Sequence, residues 1–284
     1  MSRYLLKIFV VFALLAPLGG FAQEEAMNIM REANESYKEG DYKTALSKFN
    51  DIVFNYENST MYPLALYKKA VVLGNLGERD YSMSVYNMFL KGEYKDEDLL
   101  DENNNAFIYS NYLYKAAIKL AEYNFEKGRF EEALSNYVLA DTAHLYHTTC
   151  GNDGMENHYT LILQKGKCFE KMGRYAEALE ICLKYVFPGI FAKTDDIVSF
   201  AITTLDKVYS REEIVNELKN ALESIYAEQD KYDTTRYRYY LTLFGTKVLI
   251  LDMYNAIFVN VKSIDRAREV SRNLFFFQNY LAEK

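Results

Sequence analysis

The sequence predicts an all-α chain of stacked helical hairpins, and three observations point there. The pattern G-[DR]-[YF]-x-x-A-L occurs three times, beginning at Gly40, Gly128 and Gly173, each time after one apolar helical segment and at the start of another. Self-similarity at a spacing of a few tens of residues is the mark of stacked structural units. Composition agrees: 3 prolines and 13 glycines in 284 residues leave few helix breakers, and half the chain is hydrophobic. Finally, apolar residues recur at helical spacing along nearly the whole chain.

The first residues stand apart. Arg3 and Lys7 form a basic head, Ile8 to Leu18 is an almost unbroken apolar run, and Gly19-Gly20-Phe21-Ala22 supplies small residues where a signal peptidase reads. This order predicts a secretory signal over residues 1–22, cleaved between Ala22 and Gln23. The run falls short of the roughly 20 residues a membrane span needs. The expectation is a periplasmic protein with no transmembrane segment after cleavage.

The first hairpin is expected to pair Glu25–Lys38 with Tyr42–Tyr56. Ala26, Met30, Ala33 and Tyr37 share one helix face, and Gly40 ends that helix in a left-handed turn. Ala45 is small where the second helix crosses the first, and Phe49 fills the space one turn later. A weaker copy places Ala70, Leu73, Gly77, Ser82, Tyr86 and Phe89 at corresponding positions. The third uses Leu120, Ala121, Ala133, Tyr137 and Ala140, and the fourth Gly166, Phe169, Ala178 and Cys182.

These residues resemble the tetratricopeptide repeat, whose pattern is W-x2-L-G-x2-Y, then A-x3-F, then P. The resemblance covers Glu25 to about Pro188; the tryptophan is absent throughout and the proline is not at its usual place. It implies a right-handed α–α superhelix, with four hairpins over residues 23–192 and a C-terminal helical cap over 193–284. The turn glycines are 37, 51 and 45 residues apart, against about 34 in a regular array. The excess lies in two insertions, Lys91–Asn105 and His144–Glu156, which read equally as functional loops or as solvated spacers.

Beyond Pro188-Gly189 the signature fades and the helical period continues. Ile197, Phe200, Ala201, Leu205 and Val208 define one helix, and Ser210-x-x-Glu213 is a capping box for the next, through Ile214, Leu218, Leu222 and Ile225. Thr234 or Thr235 is expected to cap a long helix through Tyr239, Leu243, Val248, Leu251 and Tyr254. Ser263 precedes a last helix carrying Ala267, Val270, Leu274, Phe277 and Leu281, and Asn255, Phe258 and Ala267 suggest a degenerate repeat there. A cap of this kind covers the end of a repeat array.

The repeat resemblance also implies a concave groove lined by the first helix of each hairpin, binding a peptide or a partner helix. By spacing it holds Met30, Asn34 and Tyr37, then Tyr67 and Val71, then Ile118, Glu122 and Phe125, and finally Leu163, Lys167 and Glu170. Relatives that hold a C-terminal carboxylate use a lysine where Met30 stands here, so that clamp is incomplete although Asn34 matches. Tyr37, Tyr67 and Phe125 are the expected anchors, since large aromatic side chains dominate binding when they lose water.

Chemistry has few footholds. His144-x-x-His147-x-x-Cys150 has zinc-ligand residue types but no identified fourth ligand, and reads equally as a helix end running into a loop. Glu97 and Asp101 sit among many acids, the pattern of a solvated charge run. No nucleophile elbow and no phosphate-cradling glycine loop is present. Cys150, Cys168 and Cys182 leave two readings, buried free thiols or one disulfide among the three. The chain carries a net charge of −7, made more negative by loss of Arg3 and Lys7, which argues against nucleic acid as a partner. The function expected is therefore a non-catalytic interaction scaffold of the cell envelope, without cofactor or metal, holding a protein or peptide. The alternatives are a self-assembling structural subunit, or a metal-dependent protein centred on His144, His147 and Cys150.

Overall fold

A computed structural model describes residues 21–101, 103, 108–187, 194–229, 237–251 and 263–282. The expected leader up to Gly20, the Pro188-Gly189 boundary, the Thr234 or Thr235 cap, Tyr254, Asn255 and Phe258 lie outside them. The described chain is mostly helical with one small three-stranded sheet. It divides into two compact units, Met1–Lys127 with Thr142–His147, and Gly128–Asp141 with Thr148–Lys284.

The N-terminal unit contains α1 (residues 21–38), α2 (Tyr42–Asn55), α3 (Tyr62–Asn75), α4 (Arg79–Leu90) and α5 (Tyr112–Glu126). Gly40 and Gly77 end α1 and α3 with φ of 81° and 82°, a left-handed conformation that glycine adopts without strain. After each, the N–H of Asp41 and of Glu78 donates to a carbonyl five residues back, on Ser36 and Leu73, both at 2.9 Å. This Schellman closure satisfies the carbonyls a helix end would otherwise leave unpaired. Gln23 anchors the start of α1 through its side chain, which donates to Thr60 Oγ1 and accepts from Ser59 Oγ and the Thr60 N–H.

Small residues decide how closely these helices pack. Ala33, Ala45 and Ala70 are fully buried, and Ser82 is 1% exposed with its hydroxyl donating to the Ala70 carbonyl at 2.7 Å across the α3–α4 crossing. Phe49 and Phe89 are also fully buried and fill the space a turn away. The first insertion is not a solvated spacer. Leu99 is buried in the core of this unit, and Tyr94 stacks on Phe89 with ring centroids 5.8 Å apart.

The C-terminal unit contains α6 (Phe130–Thr142), α7 (Gly151–Lys171), α8 (Tyr175–Leu183), α9 (Asp195–Val208) and α10 (Arg211–Glu223). Gly128 and Gly173 both have φ of 74°, and Ala133 and Ala178 are fully buried. A Cβ on Gly166 of α7 would lie 2.7 Å from Cys182 Sγ of α8 and 3.0 Å from a Phe200 ring carbon of α9. Three helices thus meet where one side chain is missing. The capping box at Ser210 and Glu213 is formed in both directions.

The long helix expected through Tyr239 to Leu251 is not there. The chain forms β1 (Tyr226–Gln229), β2 (Tyr237–Leu243) and β3 (Thr246–Leu251), an antiparallel sheet in that order. Tyr239, Leu241, Leu243, Val248 and Ile250 alternate onto one buried face, which joins the core of α8, α9 and α10. Phe244 and Gly245, with φ of 48° and 77°, close the hairpin as a two-residue turn with both centres left-handed. Phenylalanine is a strained choice there. It is held by stacking on Tyr209 at 4.5 Å and by its N–H donating to Glu217 Oε1 at 2.7 Å. The last expected helix is two, α11 (Ile264–Arg272) and α12 (Phe275–Leu281), and Ser263 caps the first by accepting from the Arg266 N–H. Ile225 is buried but lies past the end of α10.

The crossing at Gly166 is directly testable. Gly166→Ala should destabilise by about 1–3 kcal/mol through overpacking, and Cys182→Ala in the same chain should recover part of that loss by freeing the space. Glu131→Ala, on an exposed position, should stay within about 0.5 kcal/mol. Denaturant titration of the four proteins measures all three differences.

Candidate functional site

The expected groove residues of the N-terminal unit separate by burial. Met30 is fully buried and belongs to the core, so it offers no surface. Tyr67 is 8% exposed and Asn34 9%; both are packing residues more than anchors. Tyr37, Val71, Ile118 and Phe125 are half-buried, and Glu122 is exposed and paired with Lys119 at 3.0 Å. In the C-terminal unit Leu163 packs against the Tyr159–Phe200 cluster, Lys167 is half-buried, and Glu170 pairs with Lys207.

Tyr67 is the centre of an aromatic cluster that these residues border. Its ring lies 4.7 Å from Tyr112, 5.6 Å from Tyr86 and 5.5 Å from Phe89, centroid to centroid. Burial, then the neighbouring phenols of Tyr86, Tyr112 and Tyr37, push the Tyr67 hydroxyl well above its usual range. Burial and Tyr37 push Tyr86 up to about 12. The Tyr67 and Tyr86 phenols therefore stay neutral, and the half-buried Tyr37 beside them is more accessible than either. Tyr37 is positioned by its ring contact with Tyr42 at 5.6 Å and by Asn75, whose amide donates to its hydroxyl at 3.3 Å.

The two insertions meet. Asn111, the residue before α5, has φ of 53° and is 2% exposed. Its side chain accepts from the His147 N–H at 2.6 Å and donates to the His147 carbonyl at 2.9 Å, a two-point clamp on the second insertion. Asp96, from the first insertion, lies 3.6 Å from His147 Nε2 and is 9% exposed. The histidines are thus not both freely solvated: His144 is half-buried, and burial holds its pKa below the usual imidazole value against the pull of Asp96. Cys150 is exposed and belongs to the other unit. Among the described residues no group of three or more His, Cys, Asp or Glu side chains is gathered to hold a metal. Glu97 is exposed.

A polar network in the C-terminal unit has no counterpart in the sequence reading. Asp141, at the end of α6, takes His158 Nδ1 at 3.0 Å and Lys165 Nζ at 2.6 Å, and His158 Nε2 faces the Tyr185 hydroxyl at 3.0 Å. His158 and Lys165 are two turns apart on one face of α7, which is the signal that spacing offered. The two ring nitrogens thus bridge Asp141 and Tyr185. Burial first, and Asp141 second, raise the Tyr185 pKa, which makes it a poor nucleophile or base at neutral pH. The two buried thiols are equally quiet: burial pushes Cys168 and Cys182 up to about 12, and all three cysteines are free.

A cleft of about 470 Å³ lies between α8 and the β2–β3 turn, bordered by Glu180, Lys184, Tyr209, Phe244 and Lys247. Its charges are spent on each other or on neighbours: Lys184 on Glu180, Lys247 on Glu228, and Glu177 on Arg174. No protein-family model matches the chain, and a search of curated proteins finds no match.

Asp96 yields a pH prediction. Burial raises its pKa, outweighing His147, the Leu113 N–H and His144, which lower it; Glu97 raises it further. A raised carboxyl pKa in the fold favours the protonated form. The associated stability is fully present below the unfolded pKa and lost as pH rises through the folded one. Asp96→Asn, which stays neutral, should gain stability over the parent near pH 7 and lose that advantage near pH 3. Urea midpoints at both pH values check the crossover.

Proposed function

We propose that this chain is a non-catalytic interaction scaffold of tetratricopeptide-like hairpins, exported to the cell envelope and periplasmic there. The observation that carries the reading is the shared construction of four turns. Each glycine, at 40, 77, 128 and 173, has φ between 74° and 82°. A buried small residue lies seven positions before it (Ala33, Ala70, Ala121, Gly166) and another five positions after (Ala45, Ser82, Ala133, Ala178). One construction repeated four times builds an array, and arrays present long surfaces for partners. In this reading the array winds as a right-handed superhelix, and the half-buried Tyr37, Val71, Ile118 and Phe125 on the first helices receive a peptide or partner helix. The quiet thiols and phenols favour binding over catalysis. Among the described residues no helix is long and apolar enough to cross a membrane.

Self-assembly is the second reading, and the edge strand favours it. All four residues of β1 are exposed, and Tyr226, Tyr237 and Phe275 are 36%, 46% and 67% exposed. An edge strand is a template for a further strand.

A photo-crosslinking amino acid at Val71 or Ile118 should capture one discrete partner in the native envelope, and none from Glu131. Phe125→Ala should weaken that partner's affinity by about 2 kcal/mol, roughly thirty-fold, with helical circular dichroism unchanged. Adducts only to a second copy of the chain would move the assignment to self-assembly.

A further inference from the structure

Lys69 of α3 is buried to 4% exposure, and it makes no hydrogen bond or ion pair among the described residues. Its ammonium instead lies 5.1 Å from the ring centre of Phe54 on α2 and 5.6 Å from that of Tyr81 on α4. Those two rings are themselves anomalous, being 71% and 50% exposed. One turn before Phe54, Asn50 buries a carboxamide oxygen that has no hydrogen-bond partner. Two aromatic faces attract a cation but accept none of its N–H bonds. A buried ammonium without a hydrogen-bonding counter-charge is unfavourable on its own.

We propose that Phe54, Lys69 and Tyr81 form a binding site for an acidic side chain set beside an apolar one, on a segment of a partner protein. The carboxylate supplies the acceptor that Lys69 lacks, and the apolar neighbour covers Phe54 and Tyr81. A small inorganic anion does not fit as well, because it leaves both rings in water. Removing the rings and the carboxylate from water, beside the already buried Lys69, strengthens the charge pair inside the contact. The site is independent of the first-helix groove: Lys69 is two residues from both Tyr67 and Val71, which places it on another face of α3.

The test titrates the mature chain with a blocked peptide, N-acetylated and C-amidated, of sequence Leu-Phe-Glu-Leu, and with its Leu-Phe-Gln-Leu counterpart, followed by NMR. Signals of Phe54, Lys69 and Tyr81 should shift with the Glu peptide, with affinity at least about ten-fold above the Gln peptide. Lys69→Met, which keeps the apolar stem, should stay folded and abolish that preference. Equal affinity for the two peptides, an undiminished preference in Lys69→Met, or shifts confined to other residues would overturn the site. Sodium acetate alone giving the same shifts at the same concentration would also overturn it, since the apolar component would then be irrelevant.

Discussion

The close crossing of paired helices is the constraint on which the rest depends. A left-handed glycine reverses the chain within a few residues and closes the preceding helix with its own N–H bonds. Small buried residues stand seven before and five after each turn glycine, and across the second hairpin the Ser82 hydroxyl reaches the Ala70 carbonyl. One turn on lie larger buried residues, Phe49, Tyr86 and Cys182. At the last of these the thiol takes the place of a ring, and Gly166 must give up its Cβ to let Phe200 approach as well. A hairpin so built buries one face and leaves another for its neighbour, so stability accrues by stacking.

Polar groups inside such packing have to find partners within it, and most do. The Ser82 hydroxyl donates to a carbonyl of the helix it crosses, and Asp141 satisfies His158 and Lys165 together. The Asn111 clamp draws the second insertion onto the start of α5, where Asp96 from the first insertion also lies. Among the described residues the departures are Lys69, a cation with only aromatic faces beside it, and the buried Asn50 carboxamide oxygen and Ser271 hydroxyl. The same burial that holds the helices together also keeps Cys168, Cys182 and Tyr185 protonated.

The hairpins were legible because their turns need a residue type that sequence displays openly, glycine at a left-handed position. The sheet was not, for a specific reason. Tyr239 and Leu243 are four apart, a spacing that satisfies both the helical period and two strand periods. Leu241 and the Val248–Ile250 pair carry the alternation that decides it, and the Phe244-Gly245 turn lacks the usual Asn or Asp. Among the site residues, Met30 and Tyr67 were placed on a groove by position alone, and burial moves them into the core. The Asp141–His158–Lys165–Tyr185 network joins α6, α7 and the turn after α8, and local spacing reveals only its His158–Lys165 part.

The most direct measurement of the central claim is the stability of four single variants, Gly40→Ala, Gly77→Ala, Gly128→Ala and Gly173→Ala. An added Cβ meets no atom within 4 Å at any of the four, and their φ values all lie between 74° and 82°. The penalty is then conformational alone: a left-handed alanine is disfavoured by roughly 1–2 kcal/mol, partly offset by the stiffer unfolded chain. Denaturant titration should return four losses of similar size, about 1 kcal/mol each. A turn that tolerates alanine without loss, or gains from it, would contradict a common left-handed construction and with it the repeat array.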